Sequence, residues 1–338
     1  MENKALWLKG PGEDPFVDAA PCPEPGEDEL LIETKAVAVQ PGEWKLQAGI
    51  IPIPLSYPTI IGLSSSGIVV KVGPGVTRFQ PGDRVASNSA GVLFNDHRFG
   101  AYQKYSLVPQ QLTSKIGNTP FEDAAAISTA YGPISALFIH LGLERNFQKP
   151  RNTVQRVLIW GVSSSFGALS AQIANLAGYI VVGVANGRHA ELASSIGVTS
   201  FLDRTSPSVV EQAVSLGPFQ AVLAAADSAE DQMKIGRVLS AQGGGSFLST
   251  MGVRPGVELP EGVTGFFHQF LDDYLNPAHH EFTEWAWWTF LESVFAHGSL
   301  KSVPLEIKGG LSAVPKAWDL LRHNAVSGKR LIILPQLD

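Results

Sequence analysis

From Lys4 to about Phe121 the apolar residues of this chain fall in short β-rich runs, LLIETKAVAV, SSSGIVVKVG, RFQPGDRVAS and AYQKYSLV, separated by glycine and proline. Runs of that length and punctuation predict a barrel- or sandwich-like domain with few helices. After Pro120 the pattern changes. FEDAAAISTAYGPISALFIHLGL has helical periodicity and an acidic first turn. A polar stretch, ERNFQKPRNTVQ, leads on to RVLIWG, a continuous apolar run of the kind shown by a strand buried on both faces. VSSSFG and ALSAQIANLAG read as a turn opening a helix, and YIVVGVAN as a second buried strand. Strand, glycine turn, helix and strand in that order make the βαβ unit of a doubly wound sheet. QAVLAAA and GGSFLSTMG continue the strands, with the helical DQMKIGRVLSA between them. The tail adds a helix around FTEWAWWTFLESVFAHG, a strand SVPLEI, a helix SAVPKAWDLLRHN and a last strand KRLIILP. The fold class expected is therefore α/β, with a β-rich domain over 1–125, completed by 281–338, and a doubly wound nucleotide-binding domain over 126–280.

Composition narrows the partners. With 338 residues, 44% of them hydrophobic and 17% charged, the chain has the size of two domains and the material for a large core. A net charge of -6 without any basic run argues against a nucleic-acid partner. No apolar segment approaches the ~20 residues that span a bilayer. The start, MENKALWLKGPGEDP, lacks the apolar core of a signal peptide. A cytoplasmic protein without a membrane partner is expected. Cys22 is the sole cysteine, which excludes an intramolecular disulfide and any zinc site built from two or more cysteines.

The turn Gly161, Val162, Ser163, Ser164, Ser165, Phe166, Gly167 lies where a dinucleotide fold needs small residues and a helix N-terminus aimed at a pyrophosphate. Its spacing departs from the GxGxxG fingerprint, and a turn between strand and helix can be purely structural. About 20 residues further on, an NAD-specific site places Asp or Glu against the ribose 2′-hydroxyl. Here the stretch reads Ala185, Asn186, Gly187, Arg188, His189. An acid would repel a 2′-phosphate, whereas Arg188 offers it a charge-assisted partner, with Arg204 as a second cation. NADPH is the expected cofactor.

Several of these segments resemble the medium-chain dehydrogenase/reductase superfamily. PTIIGLSSSGIVVKVGPGVTRFQPGDRV is similar to the signature in which zinc-containing alcohol dehydrogenases carry a GHE motif and a VGDRV-like turn, but Leu63 and Ser64 stand in place of the His and Glu. Gln40 stands at the position of the catalytic cysteine, and the four-cysteine lobe is missing, so no metal is expected at either family site. QPGEWK resembles NPxDWK, VSSSFG resembles GGSSSVG, and LLRHNAVSGKRLIIL resembles the closing LLRxGKVSGxKLVV of zinc-free fungal trans-acting enoyl reductases that serve polyketide synthases. The resemblance implies a GroES-like catalytic domain joined to a Rossmann-type domain. It further implies that Gly42, Glu43, Trp44 and Lys45 border the nicotinamide, that Ser163 to Phe166 cradle the phosphates, that Asn186 to His189 surround the adenosine phosphate, and that Val326 and Ser327 close the site. Departures from the pattern are Gln40 for Asn, Glu43 for Asp and Arg204 for the Tyr of a VFDY-like segment.

The activity implied is hydride addition to the β-carbon of an α,β-unsaturated carbonyl, with a proton taken at the α-carbon. An enolate oxygen developing without zinc needs donors. Lys45 and Tyr131 are the catalytic candidates, weighed against a surface lysine and a core or rim tyrosine. Ser128, Thr129, Tyr131, Phe266, Phe267 and Trp288 are the substrate-pocket candidates. The run Phe282, Trp285, Trp287, Trp288 and Phe290 covers more than one helix face, which suits a hydrophobic substrate pocket but suits a domain-interface core slightly better. His279, His280 and Glu281 do not form HExxH and read as surface residues. MGVRPGVELPEG, taken as the edge of the nucleotide domain, contains Pro255 and Pro260, which favours a monomer over strand-paired dimers. The expected substrate is small and hydrophobic, free or presented on a carrier by a polyketide synthase. A free-quinone or enone reductase and a non-redox nucleotide-binding scaffold or ring-forming catalyst are the competing readings.

Overall fold

The computed structural model describes residues 1–147 and 155–338, so the end of the polar stretch before RVLIWG lies outside the described residues. The chain divides into two compact units, Met1–Thr129 with Tyr274–Asp338, and Ala130–Asp273. The expected divisions at 125/126 and 280/281 stand a few residues from these.

The first unit contains β1 (Asn3–Trp7), β2 (Phe16–Ala20), β3 (Glu29–Ala38), β4 (Ser64–Val72), β5 (Arg84–Asn88), β6 (Tyr105–Pro109) and β7 (Thr113–Lys115). The second contains β8 (Arg156–Trp160), β9 (Ile180–Ala185), β10 (Ser200–Asp203), β11 (Ala221–Ala224), β12 (Gly245–Ser249) and β13 (Val263–Phe266); β14 (Leu305–Gly309) and β15 (Arg330–Ile333) return to the first. In the first unit β1 and β2 form a hairpin beside a sheet of order β14-β15-β3-β4-β5-β7, with β6 also paired to β3. Strand β3 is the spine. It runs antiparallel to β4 from Leu30 to Ala38, while its other edge is shared between β6 at Glu29–Glu33 and β15 at Val37–Ala38.

The pleat of β3 explains its composition, because successive side chains enter different layers. Leu30 and Ile32 pack with Val69, Phe79, Val85 and Val108, whereas Leu31 packs with Phe99 and Leu107. Ala36 and Ala38 are small because the helix Phe121–Ser128 lies on them through Ala125 and Ala126. Val37 and Val39 join the largest cluster of this unit, where Leu46 of the helix Pro41–Gln47 meets Val314, Ala317 and Trp318 of the helix Val314–Arg322.

In the second unit all six strands are parallel in the order β10-β9-β8-β11-β12-β13. Leu158, Trp160, Val182 and Val184 are fully buried, as strands covered on both faces require. The order reverses between β8 and β11, so the carboxyl end of β8 is the switch point at which doubly wound sheets bind ligands.

Three expectations need correction. The helix expected over FEDAAAISTAYGPISALFIHLGL is three pieces: Phe121–Ser128, Tyr131–Ser135 and a π-helical turn Ala136–His140. Pro133 cannot donate to the carbonyl of Thr129, and the hydroxyls of Ser128 and Thr129 donate instead to the carbonyls of Ala125 and Ala126, at 2.9 and 2.7 Å, closing the first helix. The helix expected around FTEWAWWTFLESVFAHG is likewise interrupted by a π-helical stretch, Trp285–Phe290, between His280–Glu284 and Leu291–His297. MGVRPGVELPEG is not the edge strand. The edge is β13, which begins after both prolines, so neither proline blocks its backbone.

Candidate active site and dinucleotide turn

Gly161 follows β8 with φ +82, a backbone conformation that glycine adopts without cost. A Cβ at this position would lie 2.6 Å from the backbone N and O of Ala226, so the turn admits no side chain there. The next residues open the helix Ser165–Leu176, whose N-cap is Ser164, with Oγ accepting from the Gly167 amide at 3.0 Å. At Gly167 a Cβ would meet the Gly161 carbonyl at 2.4 Å, which is how the helix approaches the strand so closely. Ser163, Ser164, Ser165 and Phe166 stay half-buried, with their backbone at the helix N-terminus beside the switch point. The residues present therefore fit a dinucleotide's pyrophosphate, whose charge the N-terminal amides favour.

At the carboxyl end of β9, Asn186 and Gly187 are half-buried and Arg188 is exposed. The Asn186 side chain accepts from the Arg188 amide at 3.2 Å and so shapes the turn. His189 lies beside Arg188 Nε, at 3.2 Å, and partial burial followed by that cation lowers its pKa. The sequence reading overlooked Asp203, at the end of β10. Its Oδ1 accepts from the Gly187 amide at 3.0 Å and from the amide and hydroxyl of Thr205 at 2.9 and 2.8 Å; the Thr205 bonds come first among the causes that hold its pKa low. A carboxylate thus fixes the turn at Gly187 from the neighbouring strand.

Arg204 differs from its expected role. Its Nε lies 2.8 Å from Asp231 Oδ1, and a second nitrogen bonds Asp231 Oδ2, so its guanidinium fork is committed to a buried carboxylate. Trp160 Nε1 donates to the same Asp231 at 2.8 Å, and Ser228 caps the helix Ala229–Ala241 through it. Of the two cations proposed for a 2′-phosphate, Arg188 is the one whose side chain faces solvent.

In the first unit the segment Gln40–Lys45 is the start of a short helix with Pro41 at its first position. Glu43, expected to border the nicotinamide, is 0% exposed, with its carboxylate turned into the first unit's own hydrogen-bond network. Tyr102 Oη donates to its Oε2 at 2.5 Å, the Gln40 amide at 2.9 Å and Trp318 Nε1 at 3.4 Å, while the Leu63 amide reaches Oε1 at 3.3 Å. Burial raises its pKa to about 7 against the pull of these bonds. The three positions compared with zinc ligands surround it: the Gln40 side-chain amide donates to Ser64 Oγ at 2.9 Å, and Leu63 contributes its amide to Glu43. Glu43 is the anchor of a hydrogen-bonded network built from those positions. Gly42 and Lys45 are half-buried on the same helix, and the Trp44 ring has two cations near it, Lys45 Nζ at 5.8 Å and the Arg322 guanidinium at 5.4 Å.

The remaining candidates separate. Ser128 is fully buried with its hydroxyl on Ala125, and Thr129 bonds Ala126 and the buried Arg330. Tyr131 is half-buried at the start of its helix. Trp288 is also taken up internally: Arg78 covers its ring at 5.1 Å and its Nε1 donates to the Gln110 carbonyl at 3.2 Å. Its neighbours are core, with Trp287 fully buried and Tyr274, Phe282, Trp285 and Phe290 linked by ring contacts of 5.3 to 5.7 Å. Phe266 ends β13, while Phe267 is 53% exposed and faces Phe270, itself 5.3 Å from Phe166 of the phosphate turn. Val326 packs on the first unit's main cluster and Ser327 is exposed. Among the described residues no helix is long and apolar enough to cross a membrane.

A GroES-like β unit and a six-stranded parallel unit with a glycine-bounded phosphate turn define a dehydrogenase/reductase of the two-domain type. The alcohol dehydrogenase GroES-like domain family matches residues 26–118. The trans-enoyl reductase himH of Aspergillus japonicus is 31% identical over 313 residues, covering 90% of this chain and 89% of that protein. The dehydrogenase azaJ of Aspergillus niger is 30% identical over 352 residues, covering 98% and 99%. The solved CurK enoyl reductase shares the fold at a TM-score of 0.75 and 16% identity, covering 98% of this chain and 99% of that one. The chain belongs to the medium-chain dehydrogenase/reductase family, in the branch of trans-enoyl reductases and related dehydrogenases, and is an oxidoreductase.

Proposed function

We propose that this protein is an NADPH-dependent enoyl reductase that saturates the double bond of an α,β-unsaturated thioester, working in trans on a chain carried by a polyketide-type synthase. The observation that carries the cofactor choice is the end of β9, where the exposed Arg188 follows Asn186 and Gly187 and no acid among 186–189 opposes a 2′-phosphate. The similarity to himH, named a trans-enoyl reductase, supports the substrate class. When bound, the dinucleotide would supply the hydride for the substrate β-carbon, with a proton delivered to the α-carbon from a protein donor or water. The protein's part is to hold and to polarise. Amides at Ser163–Phe166 would hold the pyrophosphate and Arg188 the 2′-phosphate; Lys45 Nζ and Tyr131 Oη are the candidates for offering a proton to a developing enolate or its α-carbon.

The test is to follow oxidation of NADPH and NADH in the presence of enoyl thioesters, free enones and quinones. NADPH consumption dependent on an enoyl thioester, preferred again when it is carrier-bound, is the expected result. Preference for quinones would move the assignment to a free-quinone reductase, and tight NADPH binding without oxidation to a non-redox role. Arg188→Ala should weaken NADPH binding by about 10- to 100-fold, the worth of a charge-assisted contact, and leave NADH unchanged; equal losses for both would remove Arg188 from the 2′-phosphate site.

A further inference from the structure

Three residues that no sequence motif groups meet inside the second unit. His140 ends the π-helical turn Ala136–His140, His268 stands two residues beyond β13, and Asp273 lies on the short helix Leu271–Leu275. One ligand-capable atom from each lies within 4.8 Å of the others. His140 Nε2 is 2.8 Å from Asp273 Oδ2, and His268 Nε2 is 3.5 Å from Asp273 Oδ1. The two imidazoles lie against each other with centroids 3.8 Å apart and planes tilted by 35°. Around a tetrahedral zinc ion with metal–ligand bonds of about 2.0–2.2 Å, donor atoms stand roughly 3.3–3.6 Å from one another. The His268–Asp273 separation falls inside that range, and the His140–Asp273 separation, now at hydrogen-bond length, would open by about half an ångström to reach it.

One feature asks for a ligand at this point. His268 Nε2 is buried and has no hydrogen-bond partner, although it faces the Asp273 carboxylate, itself 5% exposed, just beyond bonding geometry. A metal ion in the angle of the three side chains would take the His268 lone pair together with a carboxylate oxygen of Asp273, and His140 would exchange its 2.8 Å contact with that carboxylate for the ion. The Ser135 hydroxyl donates to Asp273 Oδ2 and fixes the carboxylate's orientation, the support that ligating carboxylates receive in built metal sites. Phe270, 6.3 Å from His140, gives the site an apolar side. π-Helical turns such as the one that presents His140 are concentrated at functional positions.

We propose that His140, His268 and Asp273 bind a transition-metal dication, with zinc as the native ion. Two imidazoles and one carboxylate in a compact arrangement suit zinc and leave a fourth position for water. None of the three is among the positions compared with the family's zinc ligands, which lie in the other unit. The ion ties the turn before β8 to the segment after the edge strand β13. Through Phe270, whose ring packs on Phe166, it steadies the flank of the phosphate turn. This site is independent of the substrate assigned above.

The experiment uses the full-length protein, freed of any affinity tag and stripped with a chelator, then titrated with Co2+ and Zn2+. One equivalent of Co2+ should give the visible absorption of a tetrahedral ion, one equivalent of Zn2+ should displace it, and Zn2+ should raise Tm. His268→Gln, at a half-exposed position, should abolish both the absorption and the Tm shift. Ser135→Ala should weaken Zn2+ binding by about 10- to 100-fold while keeping the stoichiometry. Absence of tetrahedral Co2+ absorption in the unmutated protein overturns the proposal whatever the variants do. So does Co2+ absorption that persists in a folded His140→Gln/His268→Gln double variant.

Discussion

Replacing Glu43 separates hydrogen bonding from charge at the centre of the first unit. The carboxylate is enclosed by Tyr102 Oη, Trp318 Nε1 and the amides of Gln40 and Leu63, none of them charged. Glu43→Ala strands the Tyr102 and Trp318 donors, which are 0% and 2% exposed, at about 1–3 kcal/mol each; the loss should be about 3–5 kcal/mol. Glu43→Gln keeps an oxygen for the three donors that meet at Oε2 and forfeits only the long Leu63 contact, so its loss at pH 8 should be small or reversed. The charge has a sign of its own. A carboxyl whose folded pKa is raised from 4.5 to about 7 contributes stability fully present below pH 4.5 and lost as pH rises through about 7. At about 1.4 kcal/mol per pH unit this is worth about 3 kcal/mol, most of it between pH 5 and 8.5. Denaturant unfolding followed by tryptophan fluorescence, with Trp44 and Trp318 near the substitution, would give the stability difference between unmutated protein and Glu43→Gln at each pH. That difference should shift by about 2–3 kcal/mol in favour of the unmutated protein as pH falls from 8.5 to 5. A difference independent of pH, or Ala and Gln variants of equal stability, would refute the reasoning.

Other substitutions test other steps. Gly161→Ala should cost about 2 kcal/mol or more from the left-handed backbone and the collision with Ala226, and should abolish dinucleotide binding; a variant that titrates like the unmutated protein in a cofactor fluorescence assay would show the turn to be purely structural. Asp231→Ala should destabilise by about 3–5 kcal/mol because it leaves Arg204 and the Trp160 indole without their acceptor, to be read from urea midpoints. Phe267→Ala should raise KM for long substrates and spare short ones; equal changes for both would remove this exposed ring from the substrate path.

Legibility followed the range of the interactions. RVLIWG and YIVVGVAN announced themselves because a strand covered on both faces must be apolar throughout, and Gly161 and Gly167 because only glycine fits the contacts seen there. Resemblance located the Gln40–Lys45 segment but did not show what its carboxylate bonds. A glutamate inside a motif reads as a site residue, and only the fold shows that Tyr102 and Trp318, distant in sequence, close over it. The tryptophan-rich helix was legible as apolar on more than one face. Whether that surface met a substrate or a core depended on Tyr274 and Arg78, which no pattern couples to it. β10 escaped notice at four residues, and Asp203 with it, since a strand that short has little periodicity to show. The cluster of His140, His268 and Asp273 has no spacing signature at all, because its members come from three separate segments.

In each unit a buried carboxylate accepts from an indole, Glu43 from Trp318 and Asp231 from Trp160. Their counter-groups differ. Burial opposes ionisation at both, but at Asp231 it is outweighed by bonds from Arg204 and Ser228, so that its pKa is lowered. Asp231 therefore contributes stability that is present above the unfolded carboxylate range of about 4 and lost as pH falls through its depressed folded value. Glu43, with uncharged donors only, loses its contribution in the opposite direction, as pH rises through about 7. The stability profile of the whole chain should thus have an acid limb carried in part by the second unit and an alkaline limb carried in part by the first. Asp231→Asn should flatten the acid limb alone and Glu43→Gln the alkaline limb alone. If either variant changed both limbs alike, the two carboxylates would not be acting as separate electrostatic anchors.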